Sequence, residues 1–255
     1  MVVEELIIKE EGKEIYGTIY YPEKEGKYPA IILSHGFNGS YADFDKECTY
    51  YADNGFIAYT FDFCGGALTS KSSGTTREMT IFTEKEDLTM VLNFIRNMDC
   101  VEENEVYLFG GSHGGLVTSL VAAEQKEYVR AVAMYFPALC VIDNWNKAYP
   151  MVEDIPETTF LWEVPLGKDY FMTIRDFNIF EEMKKYEGPV LILHGDEDEI
   201  VPLEYSKKAT ENYKNGELVV LPGEKHGFSP EGIATCMEKI LQFMEEKKEN
   251  HKIVI

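Results

Sequence analysis

The hydrophobic positions of this chain follow two alternating patterns. Short continuous apolar runs, such as 30–33 and 189–193, are typical of strands that are buried on both faces, and 56–62 is predicted to be another buried strand. Longer stretches have apolar residues at every third or fourth position, as in 88–98 and 203–213, which predicts amphipathic helices. Strands that alternate with such helices predict the α/β class, with a mostly parallel central sheet and helices on both faces.

Turn and capping residues bound the remaining predicted elements. Residues 3–10 and 13–21 predict two strands joined by a hairpin turn at Glu11-Gly12-Lys13. Thr83 and Glu86 have the spacing of a capping box, which predicts that a helix begins there. The other predicted strands and helices are 43–54, 106–109, 116–124, 129–136, 218–221 and a last helix that begins at Pro230 after a Ser229 cap.

A glycine-rich turn lies between the predicted strand 106–109 and the predicted helix 116–124. Its sequence, Gly110-Gly111-Ser112-His113-Gly114, fits the Gly-x-Ser-x-Gly pattern of a nucleophile elbow. The sharp reversal strains Ser112 and requires glycines two positions to either side of it. The helix N-terminus that follows favours a developing oxyanion. The alternative, a phosphate-binding turn, is disfavoured because Gly-Lys-Ser/Thr and Gly-x-Gly-x-x-Gly are both absent from the sequence.

A nucleophilic serine needs a base, which is usually a histidine held by a carboxylate. In α/β-hydrolases the chain order is Ser, then Asp or Glu, then His. Among the five histidines, His226 is the only one in a downstream loop at a strand end, and it is the predicted base. His35 and His194 are expected to have structural roles. His113 is expected to face away from the serine, and His251 lies in the charged tail.

The acid is expected in the loop after the strand 189–193. This loop contains four carboxylates, most of which must be solvated loop charges. The pattern His-Gly-x-x-Asp-x-x-Val-Pro over 194–202 resembles the acid loop of many α/β-hydrolases and selects Asp198, with Asp196 as the reserve candidate. The predicted triad is therefore Ser112, Asp198 and His226.

Two backbone amides are expected to form an oxyanion hole. One is the amide of His113, immediately after the nucleophile. The other is assigned to Phe37, because His35-Gly36-Phe37 follows a strand and resembles the oxyanion loop of this superfamily. The alternative for His35-Gly36 is a plain tight turn.

Charge and composition indicate which kinds of partner, location and cofactor to expect. The 45 acidic residues against 24 Lys and Arg give a net charge of −21, which disfavours nucleic acid and anionic membranes, although the acidity also serves solubility. No apolar run approaches a membrane span and no secretory signal is visible, so we expect a cytoplasmic protein. The five scattered cysteines lack Cys-x-x-Cys spacing, which argues against disulfides or a zinc site, and no metal or cofactor is expected.

Residues 138–178 interrupt the alternation of strands and helices. We expect a single domain, 1–255, in which this segment forms a small lid. Both tryptophans lie in the segment, and its aromatic residues are Trp145, Tyr149, Phe160, Trp162, Tyr170 and Phe171. Such a concentration predicts a flat apolar slot for a ring-bearing acyl group, and the alternative is that the rings only anchor the lid to the body.

Four sequence strings resemble the bacterial cinnamoyl and feruloyl esterases. They are Asp62-Phe63-Cys64-Gly65-Gly66, Ser70-Lys71-Ser72, Thr83-Glu84-x-x-Asp87-Leu88 and, most specifically, Trp162-x-x-Pro165-Leu166-Gly167-x-Asp169-Tyr170. The likeness runs from about residue 30 to the last helix. It implies cleavage of esters of hydroxycinnamic acids such as ferulate, caffeate and p-coumarate. It also implies that Asp143 and Tyr170 bind ring hydroxyls and that Trp162 forms a wall of the slot.

One position departs from that family, whose members usually carry glutamine after the serine. The string Gly-Gly-Ser-His-Gly-Gly, with His113 in that place, is similar to the elbow of oligopeptidases and acylaminoacyl peptidases. Those enzymes carry a large propeller domain before the hydrolase domain, and we expect none in 255 residues.

The sequence therefore predicts a serine carboxylic-ester hydrolase that works through an acyl-enzyme on a small aromatic ester, with a homodimer left open. The alternatives are a general short-chain carboxylesterase, a small acylaminoacyl-type peptidase and a non-catalytic ligand-binding protein of the same fold.

Overall fold

The computed structural model describes residues 1–10 and 12–252, with side chains as far as Lys248. Glu11 of the predicted hairpin turn, the side chain of His251 and the tail 253–255 lie outside the described residues. Among the residues that are described, no helix combines the length and the apolar character that a bilayer span requires.

Ten strands, eight α-helices and two short 3-10 helices (Tyr41–Phe44 and Val152–Asp154) are present within the described residues. The strands are β1 (Val2–Glu10), β2 (Lys13–Tyr21), β3 (Tyr28–Ser34), β4 (Ile57–Phe61), β5 (Val101–Gly111), β6 (Ala131–Tyr135), β7 (Thr158–Leu161), β8 (Val164–Gly167), β9 (Pro189–Gly195) and β10 (Asn215–Leu221). The helices are α1 (Asp45–Asp53), α2 (Ile81–Arg96), α3 (His113–Glu124), α4 (Val141–Ala148), α5 (Lys168–Thr173), α6 (Ile179–Met183), α7 (Leu203–Asn212) and α8 (Pro230–Lys252).

Eight of these strands form one sheet in the order β1-β2-β4-β3-β5-β6-β9-β10. The first two pairings, β1 with β2 and β2 with β4, are antiparallel, and every pairing from β4 to β10 is parallel. Strands β7 and β8 form a separate antiparallel hairpin. The predicted α/β class and the mostly parallel sheet are confirmed.

Both faces of the central strands are buried, which explains their continuous apolar runs. In β5, Val106 and Leu108 contribute to the core cluster that also contains residues of α2 and α3. Tyr107 and Phe109 alternate with them and contribute to the cluster on the opposite face, with residues of α1 and α8. Because neither face meets water, these strands need no polar position.

Two predicted helix starts are wrong. The helix α2 begins at Ile81, with Thr80 as its N-cap and Thr83 completing the capping box, so the Thr83–Glu86 pair is not the cap. Ile81 and Glu84, in the first turn of this helix, are both buried. The helix α3 begins at His113 directly after the elbow, three residues before the predicted start, so the turn itself supplies the first helical residues.

The segment 138–178 contains α4, the β7–β8 hairpin and α5, and it connects β6 to α6. The aromatic rings of Trp145, Tyr149 and Phe171 pack against one another, with centroid distances of 4.7 to 6.0 Å. Phe171 belongs to the main core cluster, and Trp145 and Tyr149 pack against it, so these rings join the segment to the body of the protein. Its role as a lid stays a prediction.

A buried carboxyl group gives the protein's stability a predictable pH dependence. Glu47 of α1 is only 4% exposed, and burial raises its pKa from 4.5 to about 7. The folded state therefore binds a proton that the unfolded state has released between these pH values, so the stability that the protonated group provides is lost as pH rises through 7. A difference of 2.5 pH units corresponds to about 3 kcal/mol.

We expect Glu47→Gln to match the wild type in urea unfolding at pH 4.5 and to exceed it by about 3 kcal/mol at pH 8. Asp53→Asn, an exposed position on the same helix, is the control and is expected to follow the wild type at both pH values. Equal free energies of unfolding for wild type and Glu47→Gln at pH 8 would contradict the assignment.

Candidate active site

Ser112 occupies a strained turn between β5 and α3. Its φ of 51° and ψ of −115° lie in a region that non-glycine residues rarely adopt. Its amide donates to the carbonyl of Tyr135 at 2.9 Å, and its carbonyl accepts from the amide of Ala138 at 2.9 Å. These bonds to the end of β6 hold the strained conformation, which is typical of a functional turn.

The glycines of the elbow are required by close backbone contacts. A Cβ atom at Gly110 would collide with the carbonyl of Gly114, and one at Gly114 would collide with the carbonyl of Ser34. The elbow is thus packed against itself and against the end of β3. The predicted reason for the two glycines agrees with this packing.

The structure brings the three predicted triad residues together. The Nε2 atom of His226 lies 3.1 Å from Oγ of Ser112, and its Nδ1 atom lies 2.8 Å from Oδ2 of Asp198. The side chain of Asp198 is fully buried, and that of His226 is 22% exposed. The loops after β5, β9 and β10 supply the three side chains, so they meet at the carboxyl edge of the sheet.

Asp198 is fixed by further donors in its own loop. Its Oδ1 atom accepts from the amides of Ile200 at 2.8 Å and Val201 at 2.9 Å, which leaves Oδ2 for His226. The reserve candidate, Asp196, instead accepts from the amide of Gly223 at 2.6 Å and holds that turn.

His194 is a second imidazole beside the acid. Its Nε2 atom lies 3.2 Å from Oδ2 of Asp198 and 3.0 Å from the carbonyl of Val201, and its Nδ1 atom lies 2.6 Å from the hydroxyl of Ser206. Burial lowers its pKa below 6.5. A neutral His194 donates to the acid loop from Nε2 and has the structural role that the sequence predicts.

Phe136 is a site residue that sequence reasoning missed. Its ring lies 4.3 Å from the ring of His226 and 4.7 Å from that of Phe228, both measured between centroids. Its amide donates to Leu193 of β9 at 2.8 Å, with φ at 33°. The ring of Phe136 therefore packs directly on the imidazole. The only feature of the sequence that could have indicated this role is the position of Phe136 at the end of a predicted strand.

The two predicted oxyanion residues lie beside the nucleophile. Gly36 of the loop after β3 is so close that a Cβ atom there would be 3.5 Å from Cβ of Ser112. Phe37, Ser112 and His113 line the same cavity. His35 accepts from the amide of Phe63 through Nε2 at 3.2 Å and so has a structural role.

The side chain of His113, which was expected to face away from the serine, has specific contacts in the site. It is buried, its Nε2 atom lies 2.5 Å from Oε2 of Glu84, and it also lines the cavity. Glu84 was missed because its place at the start of a helix predicts a solvated charge. Its burial depends on the packing of α2 against α3, which the sequence does not show.

A cavity of about 290 Å³ opens beside Ser112, with mostly apolar walls. The residues that line it are Phe37, Ser112, His113, Ala138, Cys140, Val141, Asn144, Trp145, Ala148, Leu161, Trp162, Tyr170, Ile200 and Val201. Burial raises the pKa of Tyr170 well above 10, so its hydroxyl stays neutral. This cavity has the size and apolar character of a small-molecule site.

Trp162 and Tyr170 line the cavity, but Asp143 does not, and the substrate contacts that the resemblance implies for them stay predictions. The carboxylate of Asp143 is exposed and accepts from the hydroxyl of Tyr205 at 2.8 Å, and the neighbouring Asn144 lines the cavity instead. The helix α4 turns adjacent residues in different directions, which the sequence pattern of the insertion did not resolve.

The turn of the β7–β8 hairpin holds Trp162 at the mouth of the cavity. Trp162 and Glu163 both have positive φ values, 48° and 68°, as a two-residue turn of type I′ requires. The indole of Trp162 is 65% exposed and lies 6.0 Å from the ring of Phe37, between centroids. Two residues after the turn, the carbonyl of Pro165 accepts from the hydroxyl of Thr76 at 2.7 Å.

Among the residues that the model describes, no three His, Cys, Asp or Glu side chains are grouped so that they could hold a metal ion. The site presents a serine in contact with an imidazole that also contacts a carboxylate, beside an apolar cavity, an arrangement that supports nucleophilic chemistry.

Comparison with known proteins agrees with this chemistry. The model of the prolyl oligopeptidase family matches residues 42–251, which is 210 of the 255 residues. The structure of Est1E from Butyrivibrio proteoclasticus with bound ferulic acid is 26% identical, with a TM-score of 0.87, over 96% of this chain and 99% of that one.

Two curated proteins are similar over shorter lengths. The bifunctional esterase/perhydrolase DCH of Acinetobacter calcoaceticus is 46% identical over 65 residues, which is 25% of this chain and 24% of DCH. The protein YfhR of Escherichia coli is 23% identical over 201 residues, which is 77% of this chain and 62% of YfhR. The chain thus spans less than two thirds of either protein.

These matches confirm the predicted α/β-hydrolase fold. They assign a broader family than the cinnamoyl and feruloyl esterases, although Est1E is a structural neighbour. The chain is a serine hydrolase of the α/β-hydrolase fold and belongs to the prolyl oligopeptidase family.

Proposed function

We propose that this protein hydrolyses carboxylic esters of hydroxycinnamic acids, such as ferulate, caffeate and p-coumarate, through an acyl-enzyme. The observation that carries the proposal is the chain of contacts from Asp198 through His226 to Ser112, at the mouth of a cavity whose walls include Phe37 and Trp162. The ferulic acid bound to the similar protein Est1E supports the choice of acyl group.

In the first half of the reaction, Nε2 of His226 removes the proton from Oγ of Ser112 as the oxygen attacks the ester carbonyl. Asp198 stabilises the imidazolium through Nδ1. The amides of Phe37 and His113 donate to the oxyanion. The tetrahedral intermediate collapses, the alcohol leaves with the proton from His226, and the acyl group remains on Ser112.

In the second half, His226 removes a proton from water, which attacks the acyl-enzyme. Collapse of the second intermediate returns the proton to Oγ of Ser112 and releases the acid. The apolar cavity holds the ring of the acyl group in both halves, with Trp162 as a wall and the neutral hydroxyl of Tyr170 as a hydrogen-bond donor.

The proposal is tested with methyl ferulate, p-nitrophenyl acetate and an aminoacyl p-nitroanilide, each with wild type and Ser112→Ala. We expect turnover of both esters, with the larger kcat/KM for methyl ferulate. Turnover of the acetate alone would favour a short-chain carboxylesterase. Turnover of the anilide alone would favour the peptidase, which the family match and His113 make the second candidate. No turnover and no labelling by a fluorophosphonate would favour a binding protein.

We expect Trp162→Ala to raise KM for methyl ferulate by about 3- to 10-fold, because an aromatic contact contributes about 0.5–1.5 kcal/mol. KM for p-nitrophenyl acetate should change little, since the acetyl group does not reach the indole. Phe160→Ala is the matched control, because Phe160 is 66% exposed on the same hairpin and does not line the cavity. Equal KM increases for both esters would contradict the role of Trp162 as a wall.

A further inference from the structure

Glu84 is a buried carboxylate behind the nucleophile elbow, and the proposed reaction gives it no role. It lies in the first turn of α2, is 1% exposed, and its Oε2 atom lies 2.5 Å from Nε2 of His113, which is 2% exposed. Burying a carboxylate is unfavourable unless it is paired and hydrogen-bonded. The position of Glu84 therefore depends on the imidazole of His113.

Asp87, a second buried acid on the same helix, has different partners. Asp87 accepts from Nζ of Lys13 at 2.8 Å and from the amide of Cys64 at 2.8 Å. These bonds join α2 to β2 and to the loop after β4, so Asp87 connects elements of the fold. Among the described residues, the only side chain that forms a hydrogen bond with Glu84 is that of His113, whose amide is assigned to the oxyanion hole.

The imidazole of His113 is held on three sides. Glu84 bonds to Nε2, the ring of Tyr170 lies nearly parallel at 6.2 Å and 24°, and the ring of Phe37 lies nearly perpendicular at 6.1 Å and 74°. Phe37 and His113 also carry the two proposed oxyanion donors. The side chains of the two donor residues thus pack on each other, and Glu84 anchors one of them.

We propose that Glu84 is a positioning residue for the oxyanion hole, an inference that rests on the proposed function. By fixing the ring of His113, Glu84 fixes the Cα atom that follows the strained Ser112 and hence the direction of the His113 amide. Through the contact of His113 with Phe37, the same anchor supports the second donor. Preorganised donors are the condition for stabilising an oxyanion.

The charge of Glu84 is not what this role needs. An unbalanced negative charge behind the oxyanion hole would oppose the charge that develops on the substrate. The useful property is the oxygen that accepts the bond from Nε2 of His113. A glutamine at position 84 provides such an oxygen without the charge, so it should preserve the positioning.

The first experiment measures kcat and KM for p-nitrophenyl acetate, whose small acyl group makes little use of the cavity. Glu84→Ala is expected to lower kcat by about 30-fold with KM within about 2-fold, because a displaced donor weakens binding of the transition state and not of the ester. Glu84→Gln should stay within about 3-fold of wild type. The control Glu86→Ala, at an exposed position on the same helix, should leave both constants unchanged.

The second experiment is a double-mutant cycle with His113→Ala. If Glu84 acts through His113, Glu84→Ala should lower kcat by less than about 3-fold in the His113→Ala background. The rate of Ser112 labelling by a fluorophosphonate should follow the same pattern, and it requires no knowledge of the natural ester. Thermal unfolding of every variant identifies any that are not folded, and Glu84→Met replaces Glu84→Ala if the latter does not fold.

Equal losses from Glu84→Ala in both backgrounds, or a Glu84→Gln variant as slow as Glu84→Ala, would overturn this inference. These results would leave the proposed function intact, provided that the wild type hydrolyses esters. A wild type that is labelled at Ser112 but hydrolyses no ester would refute the proposed function instead, and the labelling rates would still test Glu84.

Discussion

Ser112→Ala is expected to lower kcat for both esters by about a million-fold, to the level left by binding and the oxyanion hole. The reason is that the hydroxyl 3.1 Å from Nε2 of His226 is the only group that forms the proposed acyl-enzyme. KM should change little, because the walls of the cavity are unaltered. The measurement is initial rates with methyl ferulate and p-nitrophenyl acetate, corrected for spontaneous hydrolysis.

Covalent labelling provides an independent check of the same residue. A fluorophosphonate should modify native wild type at Ser112, as read from the mass of the elbow peptide, and should modify neither Ser112→Ala nor denatured wild type. The strained turn should remain folded with alanine, since the bonds of Ser112 to Tyr135 and Ala138 use backbone atoms. Residual activity above about one hundredth of wild type would remove Ser112 from the mechanism.

Asp198→Asn is expected to lower kcat by about ten-thousand-fold. The carboxylate accepts from Nδ1 of His226 and from two amides of its own loop, so it fixes both the tautomer and the orientation of the imidazole. An asparagine there can donate to Nδ1, which would leave Nε2 protonated and unable to accept the proton of Ser112. Steady-state rates across pH 6 to 9, with matched protein concentrations, measure the loss.

Asp196→Asn is the matched control for Asp198→Asn. Both residues lie in the loop after β9, but Asp196 accepts from the amide of Gly223 and has no bond to His226 among the described residues. We expect its variant to stay within about 10-fold of wild type, with a lower melting temperature as the main effect. A larger loss from Asp196→Asn than from Asp198→Asn would reverse the assignment of the acid.

The sequence was sufficient to predict those features that local chemistry determines. The runs of β3 and β9 have no polar position because both faces are buried, so they could be assigned from hydrophobicity alone. The elbow could be identified because a strained serine between two glycines has few other uses. The order along the chain then indicated His226 and the loop that contains the acid, and the resemblance of 194–202 to the acid loop of many α/β-hydrolases selected Asp198.

Features that depend on packing between distant segments were not predictable. Glu84 and His113 are 29 positions apart, and each alone has an ordinary structural reading; only the contact of α2 with α3 joins them. The start of α2 was misplaced because Thr80-x-x-Thr83 and Thr83-x-x-Glu86 both resemble caps. Asp143 does not line the cavity whereas its neighbour Asn144 does, and the sequence pattern could not distinguish the two. Tertiary contacts determine these features, and a local sequence pattern does not contain the information about those contacts.

The segment 138–178 enters and leaves the main body at a single connection, between β6 and α6, whereas the triad comes from the ends of β5, β9 and β10. Changes within this one segment can therefore alter the cavity walls that it supplies, while the proposed triad residues keep their places at the ends of the strands. A chimera carrying the corresponding segment of a relative would have to keep three contacts with the main body: Thr76 with Pro165, Ala138 with Ser112, and Tyr170 with His113.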